Sequence, residues 1–208
     1  MTDNRGRGVY PVVTVLGAGA WGTALAAVAR RAGREVRLWG RDPDALAEIA
    51  RTGRNERYLK DIDLPEGLDC EPDLARALDG ADCVLMVTPS RTLREMAGRM
   101  APHLPAGIPV VLCAKGIEQG SGKLLGEVVE EELPGHRIGV LSGPTFARET
   151  ALGYPTAVTL AFPFAAADRR APDTAPASRL ALSLGSASFR PYVSDDMVGV
   201  EVAGAVKN

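Results

Sequence analysis

Pro11-Val12-Val13-Thr14-Val15-Leu16-Gly17-Ala18-Gly19-Ala20-Trp21-Gly22 is the stretch that decides the fold. A continuous apolar run such as Pro11 to Leu16 marks a strand buried on both faces. Three glycines follow in G-x-G-x-x-G spacing, and Ala20 to Ala32 then reads as an Ala/Leu-rich helix stopped at Gly33. Glu35 to Trp39 is a second strand, after which Asp42-Pro43 opens a helix with Asp as N-cap and Pro at its first position. A β-α-β unit completed in about 30 residues is the setting in which this glycine pattern binds a dinucleotide. There Gly17 permits the tight turn, Gly19 lets backbone approach a pyrophosphate, and Gly22 lets helix pack on strand. The helix start at Ala20 and Trp21 offers N–H groups and a positive dipole end to the phosphates.

Outward from this unit the alternation continues. Glu71 to Leu78 reads as a helix, Cys83 to Val87 as a strand, Ser90 to Met100 as a helix and Pro109 to Leu112 as a strand. Ser121 to Leu133 reads as a helix and Ile138 to Leu141 as a strand. Such alternation demands right-handed crossovers, so the expectation is an α/β, doubly wound, mostly parallel Rossmann-type sheet. Thr156 to Leu160 and Ser188 to Val193 read as further strands, of antiparallel character. Phe162 to Arg179, rich in Ala, Pro and Arg without clear period, reads as an exposed excursion into a helix, with a binding element as the alternative.

Ser194 to Asn208 is helical in pattern, with Ser194 as N-cap and Val198, Val202 and Val206 on one face. An apolar stripe with no later partner predicts a division into 1–193, an NAD(P)-binding domain, and 194–208, the truncated start of a helical substrate domain.

The composition, 46% apolar and 24% charged with a net charge of −2, is that of an ordinary globular chain and gives no basic surface for nucleic acid or anionic membrane. No apolar run reaches membrane-spanning length and the N-terminus has no secretory h-region, so cytoplasmic residence is expected. Cys70, Cys83 and Cys113 form no CxxC pair and read as small buried hydrophobes. His103 and His136 stand apart from other ligands in sequence, so no protein-bound metal is expected.

Lysines are scarce: 20 Arg against Lys60, Lys115, Lys123 and Lys207. Lys115 and Lys207 lie in small, apolar surroundings, where an amine can titrate and a guanidinium cannot. At the end of the second strand Arg41 would hold a 2′-phosphate, while Asp42 is better explained as a helix cap; a solvated surface role for Arg41 is the alternative.

Gly17-Ala-Gly-Ala-Trp-Gly-Thr-Ala-Leu, Leu38-Trp-Gly-Arg-Asp, Asn55-x-x-Tyr58-Leu59, Val87-Thr-Pro-Ser90, Ala114-Lys-Gly-Ile-Glu, Leu141-Ser-Gly-Pro-Thr-Phe-Ala and Gly204-Ala-Val-Lys-Asn208 occur in order. Together they closely resemble bacterial NAD(P)-dependent sn-glycerol-3-phosphate dehydrogenase over residues 12–208. The resemblance implies interconversion of dihydroxyacetone phosphate and glycerol 3-phosphate with NADP or NAD, feeding phospholipid synthesis, and leaves room for a homodimer. It further implies that Trp21, Arg41, Tyr58, Lys115 and Ala147 touch the cofactor. Lys115, Gly143 and Thr145 would touch the substrate, with Lys207 as substrate contact and proton acceptor. Because the family continues into a helical domain, these 208 residues alone are expected to be inactive. Two other readings stand beside this one: a sibling two-domain dehydrogenase of hydroxyacid or ketopantoate type, and a non-catalytic nucleotide-binding module or remnant.

Overall fold

A computed structural model describes residues 8–206. The strands are Val12–Leu16 (β1), Glu35–Trp39 (β2), Leu68–Cys70 (β3), Cys83–Met86 (β4), Pro109–Leu112 (β5), Arg137–Ser142 (β6), Thr156–Ala161 (β7) and Phe189–Ser194 (β8). They form one sheet in the order β3-β2-β1-β4-β5-β6-β7-β8. β1 to β6 are mutually parallel, β7 runs antiparallel to β6, and β8 is parallel to β7. The first six strands thus follow the doubly wound order, which reverses direction between β1 and β4 and opens a crevice there.

The helices are Ala20–Arg31 (α1), Pro43–Thr52 (α2), Leu74–Leu78 (α3), Leu93–Met100 (α4), Leu125–Glu132 (α5), Ala147–Leu152 (α6), Ala166–Arg170 (α7), Pro176–Leu184 (α8) and Met197–Val206 (α9). Side chains of one strand alternate between two core layers, as the period of two requires. Val13, Val15, Leu85 and Val111 pack in the layer with α1 and α8. Leu16, Val84, Met86 and Leu112 pack in the layer with α4 and α5. Each such buried side chain contributes about 1.5–3 kcal/mol, so the uniformly apolar strands are what holds helices on both faces. Thr14, the polar exception in β1, is buried with its hydroxyl donating to the Ala77 carbonyl at 2.7 Å. No helix among the described residues is long and apolar enough to cross a membrane.

Several boundaries differ from the sequence reading. The expected helix from Glu71 starts only at Leu74, capped by Asp73, whose carboxylate accepts from the Arg76 N–H at 2.9 Å. The preceding Leu68–Cys70 instead pairs with β2 as an edge strand too short to show a period. The expected helix from Ser121 begins at Leu125, because Ile117 bridges back to Leu124 across a tight loop with Gly122 at φ +72°. Ser194 closes β8 rather than capping α9; the Asp196 carboxylate accepts from the Gly199 N–H at 2.8 Å and does the capping.

The stretch from Phe162 to Arg179 is not a simple exposed excursion. Phe162 is fully buried, its ring filling the space left by Gly139, where a Cβ would meet it at 2.5 Å. Asp168 is buried too, pairing with Arg137 at 2.6 Å and accepting from the Ala165 N–H at 2.7 Å. α8 then buries Ala177, Leu180 and Leu184.

Candidate functional site

The described residues that the sequence points to as cofactor or substrate contacts fall around the C-terminal edge of the parallel strands. That is where open α/β sheets present ligand sites, since strand-to-helix turns leave free N–H groups there. Gly17 follows β1 with φ +124°, a conformation that favours glycine, and a Cβ on it would meet the Val87 carbonyl oxygen at 2.8 Å. Its N–H donates to the Trp39 carbonyl at 2.8 Å, so the loop is hung between β2 and the end of β4. A Cβ on Gly22 would drive into the Gly17 carbonyl, so the third glycine is the one that seats α1.

Gly19 is different. It caps α1 in ordinary extended geometry, and a Cβ there would meet nothing within 4 Å. The space above it is therefore open to a ligand. No side chain caps the first turn of α1 and no acidic residue lies in it, which leaves the helix dipole to attract an anion.

Beside the loop a cleft of about 460 Å³ is lined by Trp21, Lys115, Gly143, Thr145 and Ala147. These five therefore come together, from α1, the β5 turn, the β6 turn and α6. The Lys115 ammonium donates to the Gly143 carbonyl at 3.3 Å, joining two strand ends across the cleft floor. Gly143 packs its Cα against β7, where a Cβ would meet the Ala157 carbonyl oxygen at 2.9 Å. The Thr88 hydroxyl, also in the cleft wall, is buried without a hydrogen-bond partner among the described residues. Orphaned groups of this kind are costly and concentrate at ligand sites. A phosphorylated dinucleotide fits this donor set: open space over Gly19, free helix amides and a partly apolar cleft.

Arg41 and Tyr58 are not in that cleft. Both are exposed on the other side of the loop, around the end of β2. The closeness of that end to the loop is set by Gly40, whose absent Cβ would meet the Ala18 Cβ at 2.9 Å. The site is thus two-ended, as an extended dinucleotide requires. Lys207 lies outside the described residues.

Three contacts go beyond the sequence reading, although Asn55, Glu118 and Gly204 each stand in a string that carries the resemblance. Asn55 is buried, its amide donating to the Ala18 carbonyl at 3.0 Å and to the Thr23 hydroxyl at 2.8 Å, so it holds the loop from below. Arg94 of α4 grips Glu118 through two bonds of 2.8 and 2.9 Å and also reaches Glu132 at 2.8 Å. That clamp fixes the turn that carries Lys115 and holds the Glu118 carboxyl down at about 2. Gly204 of α9 lies over the Lys115 stem, a Cβ there meeting Lys115 Cγ at 3.6 Å.

Residues 12–167 match the family described as NAD-dependent glycerol-3-phosphate dehydrogenase N-terminus. The chain belongs to this family. A curated glycerol-3-phosphate dehydrogenase [NAD(P)+] of Rhodospirillum rubrum is 50% identical over 196 residues, 94% of this chain and 54% of the relative. The crystal structure of glycerol-3-phosphate dehydrogenase from Coxiella burnetii superposes with a TM-score of 0.82 at 38% identity, covering 95% of this chain and 57% of the other. A ketopantoate reductase of Ralstonia eutropha shares the fold alone, at 20% identity and a TM-score of 0.64 over 92% of this chain and 59% of the other. The chain spans about half the length of the curated glycerol-3-phosphate dehydrogenases it matches first. Within the family frame, the glycine loop and the Lys115 cleft are neighbours on one sheet edge, and the ketopantoate-type alternative has only the shared fold behind it.

Proposed function

We propose that the chain binds NADPH or NADH along the β1–β4 crevice and belongs to an enzyme that interconverts dihydroxyacetone phosphate and sn-glycerol 3-phosphate. The observation that carries this reading is the meeting of Lys115 with Gly143 and Thr145 in one cleft beside the glycine loop. The Gly17–Gly22 loop would hold the pyrophosphate, with Trp21 and Ala147 at the cleft wall and Arg41 and Tyr58 at the adenosine end. A reduced nicotinamide supplies the hydride.

What the chain's own residues do follows from charge. The Lys115 ammonium, placed at a strand end, would attract the phosphate or the carbonyl oxygen of a small phosphorylated ketone. Thr145 would donate its hydroxyl, and the amides of the Gly143 turn would orient the same anion. Reduction also needs a proton at the carbonyl oxygen. Neither histidine lines the cleft, and the His136 ring faces the Ile108 carbonyl at 3.1 Å. Lys207, the proton acceptor that the family resemblance implies, is the residue we assign to the proton. We also retain 1–193 as the nucleotide domain and 194–208 as the beginning of a helical substrate domain, supported by the exposed Val198, Val202 and Val206 of α9.

The test is calorimetric titration of dihydroxyacetone phosphate into the NADP-loaded chain, beside Lys115→Met. Binding that requires Lys115 supports the reading. Tight binding of ketopantoate, with no response to the phosphorylated ketone, would overturn it.

A further inference from the structure

Glu201 is a buried carboxylate to which the reading above gives no task. On α9 the valines Val198, Val202 and Val206 face outward, and the inward face is made by Met197, Glu201 and Gly204. These three stand at i, i+4 and i+7, one stripe of a helix.

The first two meet the start of α5. A Cβ on Gly126 would run into the Met197 methyl and would meet Glu201 Oε2 at 2.9 Å, so glycine is what admits α9 at this distance. The Gly126 N–H is one of the helix-start amides that have no acceptor within their own helix. It donates to Glu201 Oε1 at 2.8 Å. The Leu124 N–H of the same turn is served from within α5, by Glu127 at 2.8 Å.

One turn further along α9, Gly204 reaches the cleft lysine. A Cβ there would meet Ser142 Oγ at 3.2 Å and Lys115 Cγ at 3.6 Å. Glu201, Gly204, Lys115 and Ser142 line one gap of about 10 Å³, room for no more than a water. α9 thus closes on the lysine stem one turn from its anchor, while the ammonium donates to the Gly143 carbonyl at 3.3 Å. An apolar side chain would fill the place of Glu201 without the cost of burying a charge. What the carboxylate adds is a directional bond to one amide of α5, and through it a fixed height for Gly204 over Lys115.

We infer that Glu201 is a positioning residue: its bond to the Gly126 amide pins α9 on α5, so that Gly204 confines the Lys115 side chain to the cleft. This rests on the reading of Lys115 as the contact for a small phosphorylated ketone, and adds the residue that orders it. A lysine held in one arrangement before the anion arrives loses less freedom on binding.

The chain has four lysines, so lysine-selective isotope labelling at Cε makes each readable by NMR, and Lys115→Met identifies the Lys115 signal by its loss. Glu201→Met keeps length and packing but cannot accept from an amide, whereas Glu201→Gln can. In Glu201→Met the Lys115 signal should move towards that of an unrestrained lysine. Calorimetry on the NADP-loaded variant should show dihydroxyacetone phosphate bound about two- to tenfold more weakly. Glu201→Gln should restore both, with NADP affinity equal in all three chains, which also reports that each is folded. An unmoved Lys115 signal in Glu201→Met would show that Glu201 only packs. An equal shift in Glu201→Gln would show that the bond is not what holds the lysine; either result overturns the inference. If the unmodified chain binds NADP but no dihydroxyacetone phosphate, the ketone reading fails, while the Lys115 signals still decide the role of Glu201.

Discussion

Asn55 donates its side-chain amide to the carbonyl oxygen of Ala18 at 3.0 Å, from a position 4% exposed. Ala18 is the middle of the glycine turn, so a side chain 37 residues away in sequence sets the height of that turn. Asn55→Ala leaves the Ala18 carbonyl and the Thr23 hydroxyl short of a partner, and should cost about 1–3 kcal/mol of stability. Asn55→Asp should be worse, because a buried carboxylate cannot donate and faces the Ala18 oxygen. Denaturant unfolding of the two variants beside the parent checks the order; equal stability of all three would sink it.

The glycines of the loop should separate folding from binding. Gly19→Val adds a side chain into open space at an ordinary backbone conformation, so stability should stay within about 0.5 kcal/mol of the parent while cofactor binding is lost by steric exclusion. Gly22→Ala must displace the Gly17 carbonyl and should cost about 1–3 kcal/mol or more. Unfolding curves and calorimetry on both variants read this directly. A folded Gly19→Val chain with unchanged affinity would place the pyrophosphate elsewhere.

The Arg94–Glu118 clamp has a defined pH signature. Its folded carboxyl, held at about 2 by the Arg94 guanidinium and the Ser121 hydroxyl, lies below the usual glutamate range. The stabilisation is therefore present above the unfolded value of about 4.3 and lost as pH falls towards about 2. The stability gap between parent and Glu118→Gln should be flat at neutral pH and should shrink on acidification through that window. A gap that grows with acid would contradict the assignment.

Glu201 predicts the opposite trend. It is 7% exposed on α9, accepts from the Gly126 N–H at 2.8 Å, and burial raises its carboxyl above the ordinary value. Nearby Glu127 and Glu130 push the same way. The folded chain therefore holds this proton more tightly than the unfolded one, and ionisation costs stability as pH rises past the unfolded value. Glu201→Gln keeps an acceptor for Gly126 without the charge. Its melting temperature should exceed the parent's at pH 7 by more than at pH 4, measured by scanning calorimetry.

The parallel sheet was legible because its strands are apolar on both faces. Val13 and Leu16 feed opposite core layers, so the run has no alternation to confuse with a half-exposed strand. The Asp42 cap and Pro43 start were legible for the same local reason: both act within one turn. What escaped notice depends on contacts distant in the chain. β3 is three residues long and exists by pairing with β2. Asp168 is buried because Arg137, 31 residues earlier, meets it. At the site, the cleft residues could be named from motifs, but neither Asn55 under Ala18 nor Glu201 on Gly126 follows from any spacing.

The reversal at β7 decides what closes over the cleft. Because β7 and β8 run against the other strands, the chain leaves β8 at the edge opposite the cleft, and α9 must travel back across the sheet. Its C-terminal part, at Gly204, is what arrives over the Lys115 stem and the Ser142 hydroxyl. Had β7 been one more parallel strand, a following helix would have started at the cleft edge and run away from it. Two reversed strands therefore decide which stretch of α9 reaches the lysine: the turn that holds Gly204, not the turn that begins at Met197.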